Sequence, residues 1–233
     1  MKKLLYMLFL IPVCILSMLS IVYLFSKKEP LFFLQNVKIN GISQLNDQEV
    51  MGKISPFLKE SLLKIDVVKM KDIISSHPFV KEVRIKRVYP FSMVIDVKEK
   101  TPSALWVDRS GDLTVLDENG EPYRKLAKED VRGLYVISAR EKSDVKSLFK
   151  EVGEWNREGI LKKEKISEVA YNDGNITVYG LDDPVEIILG KEEQKVRLKR
   201  AVAVLEDAKK RGLLIKCIDA RFEKGAIIQE RKG

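Results

Sequence analysis

One apolar segment constrains this chain more than any other feature of its sequence. Residues 4–25 contain no Asp, Glu, Lys, Arg or His, whereas the rest of the chain is rich in charge. A helix needs roughly 20 apolar residues to cross a hydrocarbon core about 30 Å thick. The segment therefore predicts a transmembrane helix, with residues 1–3 as a short stub on one side of the membrane.

A cleaved signal peptide is the alternative interpretation of this segment. Signal peptides carry an apolar region of about 7–15 residues that leads to small residues at a cleavage site. Here the run is longer and ends in Tyr-Leu-Phe-Ser-Lys, without such a site. Lysines flank both ends, so charge does not decide the orientation. The long run without a cleavage site predicts a retained, single-pass anchor. Because the stub is too short for a cytoplasmic domain, we expect the N-terminus in the cytoplasm and the bulk of the chain outside.

The composition is that of a folded chain, 45% hydrophobic and 33% charged. Charges of both signs are interspersed, which is typical of a solvated surface and not of a nucleic-acid-binding face, although the net charge is +8. Cys14 lies in the apolar segment, so Cys217 has no partner in its own chain and a disulfide framework is excluded. This pattern fits a bacterial envelope protein that relies on its core.

A compact β-α-α-β-β module is predicted in residues 26–101, after the membrane segment. Short runs that alternate apolar and polar residues predict one strand at the start and a hairpin at the end. Two polar residues stand where helix N-caps are expected, and each precedes an apolar stripe. In chain order the signals are Val37 with Ile39, Asn46, Asp66, Val83 with Ile85, and Met93 with Ile95 and Val97.

A second α+β domain with a mostly antiparallel sheet is predicted in residues 102–233. Seven short runs separated by turn residues predict strands, and two amphipathic stretches predict helices over residues 144–155, with Ser143 as N-cap, and over about 192–210. The predicted strands are 106–107, 113–116, 166–171, 176–179, 185–189, 217–222 and 226–229.

The sequence lacks the motifs of an enzyme or a cofactor site. Its one histidine, His77, precedes Pro78 at a predicted helix end, where packing is a far more common role than catalysis. Motifs for zinc proteases, nucleophile elbows and thiol redox chemistry are missing, and the Gly190-Lys191 pair lacks the Ser or Thr of a phosphate-binding loop. We therefore predict a binding or scaffolding protein without catalytic residues, cofactor or metal.

A set of short motifs follows one order along the chain. The motifs are Val37-x-Ile39-x-Gly41, Leu63-x-Ile65-Asp66, Pro78-Phe79-Val80, Arg87-Val88-Tyr89-Pro90, Val97-Lys98-Glu99-Lys100-Thr101-Pro102, Leu116-Asp117-x-x-Gly120, Val185-x-Ile187-x-Leu189-Gly190 and Ile218-Asp219-Ala220-Arg221-Phe222. This ordered set resembles the FtsQ/DivIB family of bacterial cell-division proteins, single-pass membrane proteins with a POTRA-type domain. The resemblance covers nearly the whole chain, except that residues 124–143 match poorly.

The resemblance implies a non-catalytic divisome scaffold in the cytoplasmic membrane, concentrated at the division septum. It implies that the extracytoplasmic domains link early and late septum-assembly proteins and bind FtsB/DivIC-like and FtsL-like coiled-coil partners. The alternative is a POTRA-bearing envelope transport or secretion component that handles client polypeptides. Such components usually carry several modules or a membrane barrel, and barrel strands are not apparent in this sequence. An envelope enzyme with an unfamiliar site is a third, weaker alternative.

Two sets of residues are predicted to carry binding. The run 226–229 is expected at a sheet edge, where an extended partner segment could add as another strand. The alternative is that this run is the final strand of the core, blunted by the charges after it. The predicted docking set is Phe222, Gly225, Ala226, Ile227 and Ile228, with Gly225 at a positive φ. The predicted recruitment hairpin, implied by the resemblance, contains Arg87, Tyr89 and Pro90.

Overall fold

The computed structural model describes residues 2–28, 32–127 and 133–231, and in the first helix it describes side chains only for residues 10–23. Some residues of the predicted segments are not among those described. Met1 of the predicted stub, residues 29–31 of the predicted POTRA-type domain, and residues 128–132 and 232–233 of the predicted C-terminal domain lie outside the described residues.

The apolar segment forms a helix, α1, which runs over Lys2–Lys28 and contains Pro12. Its described side chains, residues 10–23, are exposed, and most of them are large and apolar. Taken over the described residues, no helix is both long enough and apolar enough to cross a membrane. The membrane crossing of α1 stays a prediction.

The chain divides into two compact units between Lys100 and Thr101. The first unit contains, after α1, the elements β1 (Asn36–Asn40), α2 (Asp47–Ile54), a 3-10 turn (Ser55–Lys59), α3 (Val67–Ser75), β2 (Val80–Val88) and β3 (Ser92–Glu99). The predicted β-α-α-β-β order is confirmed. The sheet order is β1-β3-β2, with β1 parallel and β2 antiparallel to the central strand β3.

Local polar signals start both helices of this unit as predicted. The Asn46 side chain accepts a hydrogen bond from the Gln48 N–H at 3.0 Å, and Asp66 accepts one from the Lys69 N–H at 3.0 Å. Each cap satisfies an N–H that the first helical turn leaves without an intrahelical partner. The helices bury Val50, Ile54, Met70 and Ile74 against sheet residues that include Met93 and Ile95.

The Glu99 carboxylate fixes the loop between β1 and α2 through hydrogen bonds. Its carboxylate accepts hydrogen bonds from the N–H groups of Ser43, Gln44 and Leu45 at 2.9 to 3.1 Å, and from the Ser43 hydroxyl at 2.7 Å. Burial raises the pKa of Glu99, but the hydrogen bonds from Leu45 and Ser43 outweigh burial and hold that pKa below its ordinary value. Gly41 enters this loop at a φ of +81°, and a Cβ there would lie 2.1 Å from the Val97 carbonyl oxygen.

The second unit is built on a sheet of nine strands with two helices. Its elements are β4 (Ala104–Val107), β5 (Leu113–Leu116), β6 (Pro122–Lys125), β7 (Val136–Ser138), α4 (Lys142–Arg157), β8 (Ile166–Asn172), β9 (Asn175–Gly180), β10 (Glu186–Gly190), α5 (Gln194–Lys210), β11 (Ile215–Asp219) and β12 (Ile227–Glu230). The order across the sheet is β12-β11-β10-β9-β8-β7-β4-β5-β6.

This sheet is mostly antiparallel, as predicted, but three of its eight strand pairs are parallel: β10 with β11, β7 with β8, and β4 with β7. Helix α4 packs on β7 and β8, and α5 packs on β10 and β11. The core lies between these helices and one face of the sheet, and it includes Trp155, Leu198, Val169 and Ile187. The helices thus leave the opposite face of β8 to β11 only partly covered.

Two local predictions for this unit are wrong, and the sequence pattern gives no prediction for strands β6 and β7. Ser143 does not cap α4, because the helix begins at Lys142, two residues before the predicted start, with Glu141 at the N-cap position and no side-chain hydrogen bond from that cap. Strand β11 ends at Asp219, so Phe222 lies in the connection to β12 and not in a strand.

Candidate protein-binding edge

Strand β12 forms one edge of the nine-stranded sheet and pairs only with β11. The side chains of its four residues are exposed, including two isoleucines. Ile227 is 58% and Ile228 38% exposed. A core strand would bury such residues, so the exposure favours the predicted open edge over the alternative of a final core strand.

The backbone of β12 directs alternate residues to the open side. Past the end of β12, the Arg231 N–H donates to the Leu214 carbonyl oxygen at 2.7 Å, so Arg231 faces the partner strand. Successive residues of an antiparallel strand point their backbone groups to opposite sides. It follows that Ile227 and Gln229 face β11, whereas Ile228 and Glu230 present their N–H and carbonyl groups outward. These are the groups that an added strand would pair with.

A row of aliphatic side chains crosses the sheet and ends at this edge. Register pairs Ile228 with Ile218, Ile218 with Ile187, and the row continues through Val178, Val169 and Ile137. The five inner members are at most 4% exposed. Ile228 is the one member of the row that retains substantial exposure. An apolar side chain on an added strand would therefore extend an existing hydrophobic layer.

The connection 220–226 holds the rest of the predicted docking set. Phe222 is 45% exposed, Gly225 has a φ of +82°, and Ala226 packs partly against the core. Arg200 of α5 anchors this connection, because its guanidinium donates to the carbonyl oxygens of Phe222 and Gly225. Sequence reasoning missed Arg200. The sequence shows a basic residue on a predicted helix, but no nearby residue indicates that its side chain contacts the connection 220–226.

A second arginine stiffens the start of the connection. Arg221 donates from Nε and Nη2 to the two carboxylate oxygens of Asp219, at 2.9 and 2.6 Å. This two-point contact holds the pKa of Asp219 below its ordinary value and raises that of Arg221. The geometry fixes the backbone of the connection and presents an exposed aromatic ring. It suits binding.

A shallow groove of about 850 Å³ runs beside the edge on the less covered face of the sheet. Its polar lining includes Glu168, Glu186, Glu230, Lys216 and Arg231. The Tyr179 hydroxyl lies 3.3 Å from Glu186 Oε1, and Arg231 donates to the Pro184 carbonyl oxygen at 2.9 Å. Burial, with Glu186 nearby, raises the pKa of the Cys217 thiol, so this cysteine stays protonated and unreactive at neutral pH.

The predicted recruitment residues lie at one end of the first unit. Arg87 is in β2, and Tyr89 and Pro90 form the turn to β3 across a cis peptide bond. Arg87 Nη2 donates to the Ile65 carbonyl oxygen at 2.6 Å, so this side chain holds the hairpin to the segment before α3. The Tyr89 ring meets Phe32 edge-on, with 6.0 Å between ring centroids, and the hydroxyl-bearing ring remains 56% exposed.

The described residues hold no cluster of three or more His, Cys, Asp or Glu side chains that would suit a metal ion. His77 Nε2 lies 3.7 Å from Glu49, and its ring packs edge-on against Phe79. Burial lowers the pKa of His77, and Lys53 lowers it further. This histidine packs at the end of a helix, in the structural position that its sequence context predicts.

Comparison with known families matches both units. A family model described as cell division protein FtsQ/DivIB, C-terminal, matches residues 104–221, and a model described as POTRA domain, FtsQ-type, matches residues 32–100. The chain belongs to the FtsQ/DivIB family. It is thus a member of a family of cell-division proteins.

Relatives named cell division protein FtsQ support this assignment. The protein from Anaeromyxobacter sp. (strain K) is 26% identical over 194 residues, which cover 77% of this chain and 65% of the relative. The protein from Myxococcus fulvus is 27% identical over 202 residues, covering 81% and 69%, and that from Geobacter sp. (strain M21) 21% identical over 209 residues, covering 84% and 76%. The chain spans about two-thirds of the length of the first two. These matches favour a cell-division protein over a transport component.

Proposed function

We propose that this protein is a non-catalytic divisome scaffold that docks a partner on the open edge of β12. The partner class is an FtsB/DivIC-like coiled-coil protein, itself associated with an FtsL-like protein. One observation carries the proposal: an exposed edge strand ends a buried aliphatic row and turns the backbone of Ile228 and Glu230 outward. An extended partner segment would satisfy those groups and cover Ile228.

The connection before β12 supplies the aromatic anchor of the proposed site. Phe222 is exposed, yet its backbone is fixed by Arg200, so the ring would be presented without a large ordering cost. Buried aromatic residues are frequent hot spots of interfaces. Within this proposal, Gly225 and Ala226 shape the turn, while Phe222, Ile227 and Ile228 make contact.

Proline substitution tests the backbone part of the proposal. Ile228→Pro removes an outward N–H, so we expect weaker capture of the FtsB-like partner, whereas Ile227→Pro breaks pairing within the sheet. Lys125→Pro is the matched control. By the same alternation, Lys125 of β6 faces outward on the opposite edge, because the next residue, Leu126, donates to Leu113. We expect this control to bind normally.

Phe222→Ala tests the anchor and should cost about 2 kcal/mol or more of binding, which is about 30-fold in affinity. Binding would be measured by pull-down and calorimetry, and folding by far-ultraviolet circular dichroism. If Ile228→Pro and Phe222→Ala both bind like the unchanged protein while remaining folded, the partner docks elsewhere.

The scaffold role also requires an anchor and a recruiting module. We propose that α1 crosses the cytoplasmic membrane once, with its N-terminus inside and both units outside, on the strength of the uncharged run 4–25. Protease added to spheroplasts should then digest the C-terminal units, and a soluble exported form that begins after Phe25 would contradict the anchor.

Recruitment is proposed to reside in the POTRA-type domain, through which early and late septum-assembly proteins would be linked. Deleting residues 33–101 should leave the protein membrane-bound but spread around the cell, as seen with a fluorescent fusion. If the truncated protein still gathers at midcell, recruitment lies outside the POTRA-type domain.

A further inference from the structure

An aromatic patch lies at the end of the first unit where the chain arrives from α1. Six large hydrophobic side chains of residues 32–100 are exposed, and five of them belong to three segments at this end. We call this set the tip. Its members are Phe33, Leu63, Val88, Tyr89 and Phe91.

Several contacts hold these three segments together. Phe33 pairs with Ser61, and the Leu62 N–H donates to the Phe32 carbonyl oxygen at 2.6 Å. The Gln35 N–H donates to the Phe91 carbonyl oxygen at 2.9 Å. Together with the Arg87 contact and the Phe32–Tyr89 ring contact, they make the tip one built surface and not a set of loose side chains.

The tip is tethered close to the end of α1. Four Cα–Cα steps separate Lys28, where α1 ends, from Phe32, and at about 3.8 Å a step they span at most about 15 Å. The Tyr89 ring contacts Phe32. A tip held at this distance from a membrane-embedded helix has a high effective concentration at the bilayer surface.

The chemistry of the tip matches the interface of a bilayer with anionic headgroups. The segments 32–36, 61–65 and 87–92 contain two cations, Lys64 and Arg87, and the nearest carboxylates in the described chain are Glu60 and Asp66, which flank the second segment. Tyrosine is enriched where membrane meets water, because its ring is apolar and its hydroxyl is polar. Basic residues beside apolar ones add electrostatic attraction to anionic lipid.

We propose that the tip rests on the outer surface of the membrane that α1 crosses, with Tyr89 and Phe91 inserted among the lipid headgroups. This proposal depends on the anchor proposed above. It assigns Tyr89 and Pro90 of the recruitment hairpin to lipid contact, which would fix the orientation of the POTRA-type domain against the membrane.

Tryptophan quenching by lipids brominated near the top of their acyl chains tests the contact. The full chain is reconstituted into phosphatidylethanolamine–phosphatidylglycerol vesicles, and Tyr89→Trp is compared with Lys81→Trp. Lys81 is exposed near the opposite end of β2, about 26 Å along the strand from Tyr89. Native Trp106 and Trp155 lie in the second unit and supply a background that the unchanged protein measures.

We expect the Trp signal added at position 89 to be quenched several-fold more than that added at position 81. Adding Leu63→Asp and Phe91→Asp to Tyr89→Trp should abolish the excess, which separates insertion from mere tethering. Quenching at 89 should also weaken in vesicles of phosphatidylcholine alone.

Flotation of the protein in alkaline carbonate separates the two proposals. If the protein floats with the vesicles but positions 89 and 81 are quenched alike, the anchor stands and the tip lies in water. If it fails to float, both proposals are wrong. If position 89 is not quenched and Tyr89→Ala loses midcell position, the tip contacts a division protein and not lipid.

Discussion

Removing the carboxylate of Glu99 should loosen the loop between β1 and α2. Glu99 accepts hydrogen bonds from three consecutive backbone N–H groups and one hydroxyl. A hydrogen bond to a charged group contributes about 1.5–3 kcal/mol. Because Ser43 and Gln44 are exposed, water would replace part of what is lost. We therefore expect Glu99→Ala to cost the first unit about 2 kcal/mol, and Glu99→Gln, which keeps one acceptor oxygen, about half that.

At low pH, the wild type and Glu99→Gln should have the same free energy of unfolding. The folded protein holds the pKa of Glu99 below its ordinary value of 4.5. The stabilisation is therefore complete above pH 4.5 and is lost as the pH falls through the lower folded pKa, where wild type and Glu99→Gln should converge.

Amide hydrogen exchange read by mass spectrometry suits this test, since residues 32–100 contain no tryptophan. The slowest amides of β3 would report the free energy of opening, and those of residues 43–45 the loop. Glu82→Gln is the matched control: Glu82 pairs with Arg84 on an exposed strand face, and its loss should leave exchange unchanged. Equal opening free energies for Glu99→Ala and Glu82→Gln would refute the proposed stabilisation of the loop by Glu99.

Five further substitutions have expected outcomes. Gly41→Ala should cost about 3 kcal/mol by hydrogen exchange, because φ is positive and the new Cβ meets Val97, whereas Gly52→Ala, in open space within α2, should stabilise by about 0.5–1 kcal/mol. Asp66→Ala should cost about 1 kcal/mol through loss of the α3 cap, seen as faster exchange at Lys69. Ile137→Ala should cost about 2–5 kcal/mol in denaturant titrations followed by tryptophan fluorescence, since it opens a cavity in the core. The pKa of Glu121 is held at about 2 by hydrogen bonds from Lys142 and Lys146, but 35% of its side chain is exposed and both lysines are more exposed still, so Glu121→Gln should cost less than about 1 kcal/mol and nothing at high salt.

Local chemistry explains which elements the sequence predicts. The caps at Asn46 and Asp66 act on N–H groups two or three residues away, so their signal lies within a few residues. The β2–β3 hairpin is similarly local, with alternating runs on both sides of a proline turn.

Elements defined by distant partners escape such reasoning. β7 has three residues, too few for a period to show, and it exists because it pairs in parallel with β4 and β8. Strand β6 likewise depends on β5. The predicted start of α4 is wrong because Ser143 is a good cap residue, whereas the helix begins before it, at Lys142.

The candidate site likewise has features that local sequence predicts and features that depend on distant residues. An edge position for Ile227 and Ile228 could be predicted from a short strand after a glycine turn. The direction of each backbone group, the hold of Arg200 on Phe222 and Gly225, and the aliphatic row behind Ile228 all depend on register with other strands and on α5.

Because the buried aliphatic row ends at Ile228, a strand added at this edge would stabilise the folded second unit. A partner bound only to the native sheet raises the free energy of unfolding with its concentration, by about 2.7 kcal/mol at one hundred times its dissociation constant. Trp155, fully buried in the same core, would register that gain as a higher melting temperature, without any label on the partner. In the cell, the second unit would then be most resistant to unfolding and proteolysis where its partner is concentrated.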